Sequence, residues 1–412
     1  MHKFQTICFC FPYRGGVGGV PTLFAGIARQ LVLKEYSVSI VDYEDGTLRR
    51  LLGNEHKIKF YVYKDSNDHE LFINDDLIVF QSMVPWSMYH GLTFSNRSRL
   101  FFWNCHPYNL IPQVPILSEK VLPFYRIYKA LIKFVLYLYV VRARKFVQHM
   151  EKMHALVFMD GGNLRNTEYF LDLDIKKPIF LPIPVLSEKT RILAPVSKKI
   201  ENICWAGRAV KSKMVPLLDM LRELSLLKGV DKYTIHIIGE GEFLDEFKLY
   251  VKELVNINVH YYDIMPYDDL IEFVRDRADF CAASGTLALN FSSIGVPTIL
   301  LDVSMRAMSN RLFRFMYEVE DYSLGDTDFD IQREAFKSNL KSQILFLKDS
   351  YKIASEKSIH YVIERHSMQS ICNLLIENMQ RSRFYSISAV EGKFFSRPAV
   401  YSIFKFFKGK RK

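Results

Sequence analysis

Apolar residues along this chain fall into short runs of about five or six, separated by longer stretches in which apolar positions recur three or four apart. The runs "TICFCF" (6–11), "SVSIVD" (37–42), "KIKFYVY" (57–63), "DLIVFQ" (76–81), "LFFWN" (100–104) and "ALVFMD" (155–160) predict buried strands. An apolar helix is expected around 21–34, and a long basic one before the last strand. A second series begins after the proline-punctuated segment 177–189. Its strands are "NICWAG" (202–207), "TIHIIG" (234–239), "NVHYYD" (258–263), "DFCAAS" (279–284) and "PTILLD" (297–302), alternating with helical patterns at 214–228, 242–254, 267–277 and 287–294. Strand and helix alternating over short links predict parallel sheets covered on both faces. The expected fold is therefore α/β, with two Rossmann-like, doubly wound domains facing a cleft. Residues 1–188 form the first, 189–380 the second, and 381–412 a basic aromatic tail.

With 412 residues and 49% hydrophobic content, the chain can fill two cores and is too apolar to be disordered. Its six cysteines are scattered, several of them in strand-like runs. They read as reduced core thiols rather than as a disulfide frame or zinc site, which points to the cytoplasm. The N-terminal apolar run is too short for a signal peptide and reads as a first strand.

The net charge of +10 changes meaning once it is located. Residues 120–150 and 393–412 each hold seven Lys or Arg and no acid, so the rest of the chain is at −4. Both segments also carry bulky apolar groups, "YRIYKALIKFVLYLYVVRARKF" and "KFFSRPAVYSIFKFFKGKRK". That pairing suits the anionic surface of a membrane, where aromatic and aliphatic groups bury at the headgroup boundary. Lys133 leaves Ala130 to Val141 far short of the ~20 apolar residues of a span. A nucleic-acid partner is disfavoured, because the basic charge comes with aliphatic bulk.

Four loops carry candidate chemistry. "GGVGGVP" (15–21) lacks a dinucleotide fingerprint, since Pro21 stands where the third glycine belongs; its Gly15 and Gly16 offer a backbone cradle for a phosphate or sugar. "WAGRAVKSK" sets Arg208 past a strand and Lys213 near the next helix start, a clamp for a diphosphate. "IIGEGEF" puts Gly239, Glu240 and Gly241 at the next crossover. "ADFCAASGTLALNFSSIGVPTILLD" reads as strand, turn at Ser284-Gly285-Thr286, helix and strand, with the turn at a phosphate-binding crevice.

In this order the motifs resemble the GT-B glycosyltransferases, most nearly glycosyltransferase family 4 and related bacterial polysaccharide and lipopolysaccharide enzymes. The likeness is specific over residues 203–302 and, in the first domain, confined to the glycine loop. It implies transfer of a sugar from a nucleotide-sugar donor, without a metal or other cofactor and with retention. It further implies that Arg208 and Lys213 hold the donor diphosphate, that Ser284, Gly285 and Thr286 lie near it, and that the Gly15-Gly16 loop closes over it. The family has glutamates five residues before the glycine of its G-x-P element and eight residues earlier still. Here those places hold Asn290 and Ala282, leaving the donor base, the sugar and the stereochemistry open. Asn290 keeps the ability to hydrogen-bond a ribose hydroxyl. His106 in "WNCHPYN" and Glu240 are the two candidates for catalysis.

The acid pairs "DLD" (172–174) and "DTDFD" (326–330) fall outside crossover loops and read as surface turns rather than metal ligands. The reading is thus a hexosyltransferase, cytoplasmic and peripheral on the inner face of the plasma membrane. It extends a lipid-linked glycan for lipopolysaccharide, O-antigen or capsule synthesis. The alternatives are a nucleotide-sugar epimerase on the same fold and a degenerate, non-catalytic scaffold at the membrane.

Overall fold

The structure is a computed structural model and describes residues 5–16, 18–53, 55–65, 70–89, 91–113, 125–185, 193–196, 199–227, 232–327 and 338–384. The chain forms two compact units, Met1–Pro184 with Met368–Lys412, and Val185–Ser367. Both are α/β with largely parallel sheets, as the alternating pattern predicts.

The first unit runs β1 (Thr6–Cys10), α1 (Gly19–Leu33), β2 (Ser37–Asp42), α2 (Thr47–Leu52), β3 (Ile58–Val62), β4 (Leu71–Ile73), β5 (Leu77–Gln81), β6 (Leu92–Phe94) and β7 (Arg99–Asn104). There follow α3 (Tyr125–Val135), α4 (Tyr137–Lys152), β8 (Leu156–Phe158) and α5 (Gly161–Leu171). Its six-stranded sheet has the order β3-β2-β1-β5-β7-β8, all parallel, while β4 and β6 pair apart from it. Strands covered on both faces need no polar alternation, which is why "LFFWN" buries every side chain from Leu100 to Asn104. In α1 the buried residues Leu23, Phe24, Ile27, Ala28 and Leu31 recur at helical spacing. Pro21 lies in the first turn, where its missing N–H costs nothing.

The second unit runs β9 (Asn202–Ala206), α6 (Lys211–Leu226), β10 (Tyr233–Ile238), α7 (Leu244–Val251), β11 (Ile257–Tyr262), α8 (Tyr267–Arg277), β12 (Phe280–Ala283), α9 (Thr286–Ser293) and β13 (Thr298–Leu300). It closes with β14 (Arg314–Phe315) and the long α10 (Leu340–His366), whose helix is interrupted at Ser350. The sheet order is β11-β10-β9-β12-β13-β14, parallel except for the edge strand β14. Trp205, Ile235, Ile237, Phe280 and Ile299 fill its core against Leu217, Leu221 and Leu224 of α6.

The same device fixes the central strands of each sheet. Asp76, just before β5, accepts the backbone N–H groups of Gln5 and Thr6 and the Thr6 hydroxyl, all within 3.1 Å. Asp279, just before β12, accepts the N–H groups of Glu201 and Asn202 and the Asn202 amide at 2.7–3.1 Å. Each carboxylate satisfies donors at the start of β1 or β9 that no ladder reaches, so each sheet is registered about its middle pair.

Two expectations need correction. Residues 368–380 were assigned to the second domain, but α11 (Met368–Arg381) packs on α1 in the first unit. Its buried stripe of Ile371, Cys372, Leu375 and Met379 needs an apolar face, and Gly26 of α1 leaves room for the Met368 methyl. The long basic helix is two, α3 and α4, broken at Leu136 (φ −118°, ψ 28°). Residues 114–124 and the basic stretch 393–412 lie outside the described residues. All six cysteines are free and buried, and burial raises the thiol pKa of Cys8, Cys10 and Cys281.

Candidate functional site

A doubly wound sheet opens a crevice where its winding reverses, outside the carboxyl ends of the two central strands. In the second unit that point lies between β9 and β12, because α6 leads from β9 toward β10 and α9 leads from β12 toward β13. The loops leaving the two strands, 207–210 and 284–285, are neighbours: a Cβ on Gly207 would stand 3.9 Å from the Leu287 side chain. Arg208 and Lys213 flank this crevice, and Ser284, Gly285 and Thr286 form its other lip.

Arg208 is exposed and Lys213 half-buried, and among the described residues neither side chain meets a carboxylate. Burial lowers the pKa of Lys213, and the nearby positive Arg208 lowers it further. Two like charges held together without a counter-charge are unfavourable until an anion joins them. Both flanking helices, α6 after Val210 and α9 after Gly285 (φ +71°), also begin with no side chain capping their first-turn N–H groups. One guanidinium, one ammonium and two helix N-termini thus border the crevice, all groups that favour negative charge.

Gly239 and Gly241 do different work. The Ala209 N–H donates to the Glu240 carbonyl at 2.8 Å, and the Phe243 N–H donates to the Ala209 carbonyl at 3.0 Å, stitching loop 239–243 onto loop 207–210. A Cβ on Gly239 would lie 2.2 Å from the Gly207 carbonyl oxygen, and one on Gly241 2.5 Å from that of Ala209. These glycines permit the close approach that holds Arg208 in place. The Glu240 side chain is exposed, Asn290 is half-buried on α9, and Ala282 is fully buried within β12, paired with Ile299.

Sequence reasoning missed the support beneath this crevice. Pro216 inside α6 has no N–H for the Ser212 carbonyl, and the Ser304 N–H takes that acceptor at 2.8 Å, tying the segment after β13 to the first turn of α6. Arg311, 1% exposed, donates to Asp219 of α6 at 2.9 and 3.1 Å and reaches Asp302 at 3.4 Å. Arg314 pairs with Asp326 at 3.0 Å. The proline in a helical pattern and the aspartate ending "PTILLD" were the available signals.

In the first unit the winding reverses between β1 and β5, and the glycine loop leaves β1 at that point. The buried Asp42 carboxylate, its pKa raised by that burial, accepts the N–H groups of Tyr13, Tyr43 and Arg49. Thr47 and Arg50 donate to the Gly15 carbonyl at 2.5 and 3.1 Å. The Tyr13 ring lies over Gly15, where a Cβ would collide with its hydroxyl. Gly16 has open space around it.

His106 stands past the carboxyl end of β7 and is exposed. The protein packed around it lowers its pKa, so the ring is neutral at pH 7. Its Nδ1 accepts the Tyr108 N–H at 3.3 Å, which leaves the proton on Nε2. In that state His106 offers a hydrogen-bond donor, not a base.

The acid pairs are used within the fold. Asp172 binds Lys129, Lys133 and Arg144, Asp174 pairs with Lys176, and Asp326 is bound by Arg314. Asp328 and Asp330 lie outside the described residues. Asp172 therefore neutralises part of the basic α3–α4 segment that looked acid-free in sequence. Phe134 is 90% exposed there, and Leu138, Tyr137 and Ile127 are exposed on the same two helices, as are Arg126 and Lys145. Among the described residues no helix is long and apolar enough to cross a membrane, and no group of three or more His, Cys, Asp or Glu could hold a metal ion.

Two doubly wound units in one chain match the GT-B architecture, and comparison with solved structures shows this fold. A glycosyltransferase from Rickettsia africae ESF-5 superposes with a TM-score of 0.54 at 14% identity, covering 92% of this chain and 98% of that one. TarM of S. aureus superposes at 0.51 with 10% identity, covering 92% and 99%. No family model and no curated protein sequence matches the chain.

Proposed function

We propose that this protein is a glycosyltransferase that moves a sugar from a nucleotide-sugar donor to a lipid-linked glycan acceptor in the synthesis of a bacterial surface polysaccharide. It works on the cytoplasmic face of the plasma membrane. The observation that carries the reading is the unpaired Arg208–Lys213 couple beside two uncapped helix N-termini at the switch point of the second unit. A departing nucleoside diphosphate gains negative charge as the glycosidic bond breaks, and fixed positive groups at that place lower the barrier without having to reorganise. The residues of the site supply this stabilisation themselves, so the reading needs no metal. Asn290 hydrogen-bonds a donor hydroxyl, and His106 donates from Nε2 to the transferred sugar or the acceptor.

Membrane contact is assigned to the α3–α4 turn. Phe134, Tyr137 and Leu138 are too large and too exposed to be incidental to solubility, and Arg126 and Lys145 stand outward beside them. A lipid-borne acceptor would meet the enzyme on that surface.

The test is a panel of UDP-, GDP-, ADP- and CMP-sugars with and without bacterial lipid extract. The expected result is nucleotide release from one donor that requires the extract and places the sugar in the lipid fraction. Extract-independent release would mean hydrolysis. Donor binding without release would favour the scaffold reading, which the neutral Asn290 and Ala282 support. In flotation assays Phe134→Ser/Leu138→Ser should reduce recovery with anionic vesicles; unchanged recovery would remove this surface from the reading.

A further inference from the structure

A second basic site lies at the other end of the first sheet. Arg99, His154, Gln380, Arg381, Ser382 and Arg383 line a cavity of about 420 Å³. Arg99 begins β7, while Asn104 and the His106 loop lie at its far end, roughly 17 Å along a six-residue strand. The cavity is therefore separate from the glycine-loop end of that sheet.

Its walls come from three places in the sequence and are fixed by backbone bonds. Arg99 donates to the Gln380 carbonyl at the end of α11, the Ser382 hydroxyl donates to the Leu100 carbonyl at 2.8 Å, and the Leu100 N–H donates to the Phe384 carbonyl at 2.8 Å. The Arg383 N–H donates to the Met153 carbonyl at 2.8 Å, which sets Arg383 beside the α4–β8 turn. His154, another lining residue, is held in that turn at φ +52°, a left-handed conformation that side chains seldom adopt. Three arginines and a histidine line the space, and among the described residues no carboxylate does. Glu377, the nearest acid partner, pairs with Arg381 at 2.5 Å from outside the lining. The last carbonyls of α11 also face this end, but Arg99 and the Ser382 N–H already occupy those of Gln380 and Met379.

We infer that this cavity binds a phosphate-bearing anion, either the headgroup of an anionic lipid or a soluble phosphate compound. Guanidinium forks match phosphate oxygens in pairs, and the volume accommodates a diphosphate or a headgroup with room for its ester. The inference stands apart from the donor site, and its test keeps the two separate.

The full-length chain carrying Arg208→Gln/Lys213→Gln serves as parent, so that phosphate at the donor site does not register. Pyrophosphate binding is measured by calorimetry at constant ionic strength, and flotation is measured with phosphatidylcholine vesicles with and without phosphatidylglycerol. Adding Arg381→Gln/Arg383→Gln should weaken one or both by about tenfold, whereas Arg275→Gln/Arg277→Gln, at the end of α8, should not. Loss of pyrophosphate binding alone identifies a soluble ligand, and loss of phosphatidylglycerol-dependent flotation alone identifies a headgroup. The idea is overturned if the parent responds to neither probe, or if both pairs of substitutions act equally. Melting curves establish that each variant is folded.

Discussion

In the first unit the loop after β1 presents Arg14, whose Nε lies 2.8 Å from Asp45 and whose guanidinium stacks 3.9 Å above the Tyr43 ring. In the second unit the corresponding loop, after β9, presents Arg208, which meets no acid among the described residues and is joined by a second cation, Lys213. The sheets are wound in the same order, and both are registered by an aspartate ahead of the fourth wound strand. The scaffold is thus repeated while the loops diverge. Where protein groups bind the Arg14 guanidinium and the Gly15 carbonyl, the loop is tied to its neighbours. Where they leave positive charge unpaired, the crevice is built for something that arrives.

Five substitutions would break or sharpen that contrast. Arg311→Leu removes a buried paired charge and strands Asp219 and Asp302, so it should destabilise by about 3–5 kcal/mol, read from denaturant unfolding. Arg208→Gln should lower kcat by roughly 100- to 1,000-fold while the melting temperature holds. Lys213→Met should cost similar activity but raise stability slightly at neutral pH. Because burial and Arg208 depress the lysine pKa, the charged form is penalised in the folded chain, and that penalty disappears as pH rises through the folded pKa or when the ammonium is removed.

Asp42→Ala leaves three N–H groups without their acceptor and should cost about 1–3 kcal/mol, with faster proteolysis in the glycine loop. Since the native pKa of Asp42 is raised, the gap from wild type should be widest in acid and narrow as pH climbs through that value. Arg14→Gln should be nearly silent in melting experiments, because both partners of its pair are exposed. A large effect there, or none at Arg208, would erase the distinction.

Much of this arrangement can be read from residue order. Uninterrupted apolar runs such as "LIVFQ" and "LFFWN" signal strands buried on both faces, and the Gly and Ser-Gly-Thr breaks mark where strands give way to helices. Arg208 and Lys213 are visible for the same reason, being tied to a strand end and a helix start only five residues apart. What stays hidden depends on partners distant in sequence. Nothing near Asp172 announces Lys129, and nothing near Asp219 announces Arg311, ninety-two residues on. The glycines of "IIGEGEF" look like a ligand cradle because a demand for close approach reads the same whether the neighbour is a phosphate or the backbone of Gly207 and Ala209. The edge strand β14 has only two residues, too few for any periodicity.

The polypeptide leaves the first unit at Pro184 and re-enters it at Met368, so the second unit is an insertion within the first. As the chain emerges from the ribosome, α1, ending at Leu33, must wait until Met368 before α11 is made to cover it, whereas Val185–Ser367 is continuous and free to collapse first. Truncation before Met368 would thus harm the half of the protein far from the cut in sequence. Translation that stalls there should leave a nascent chain whose early portion, though wholly synthesised, still recruits chaperones.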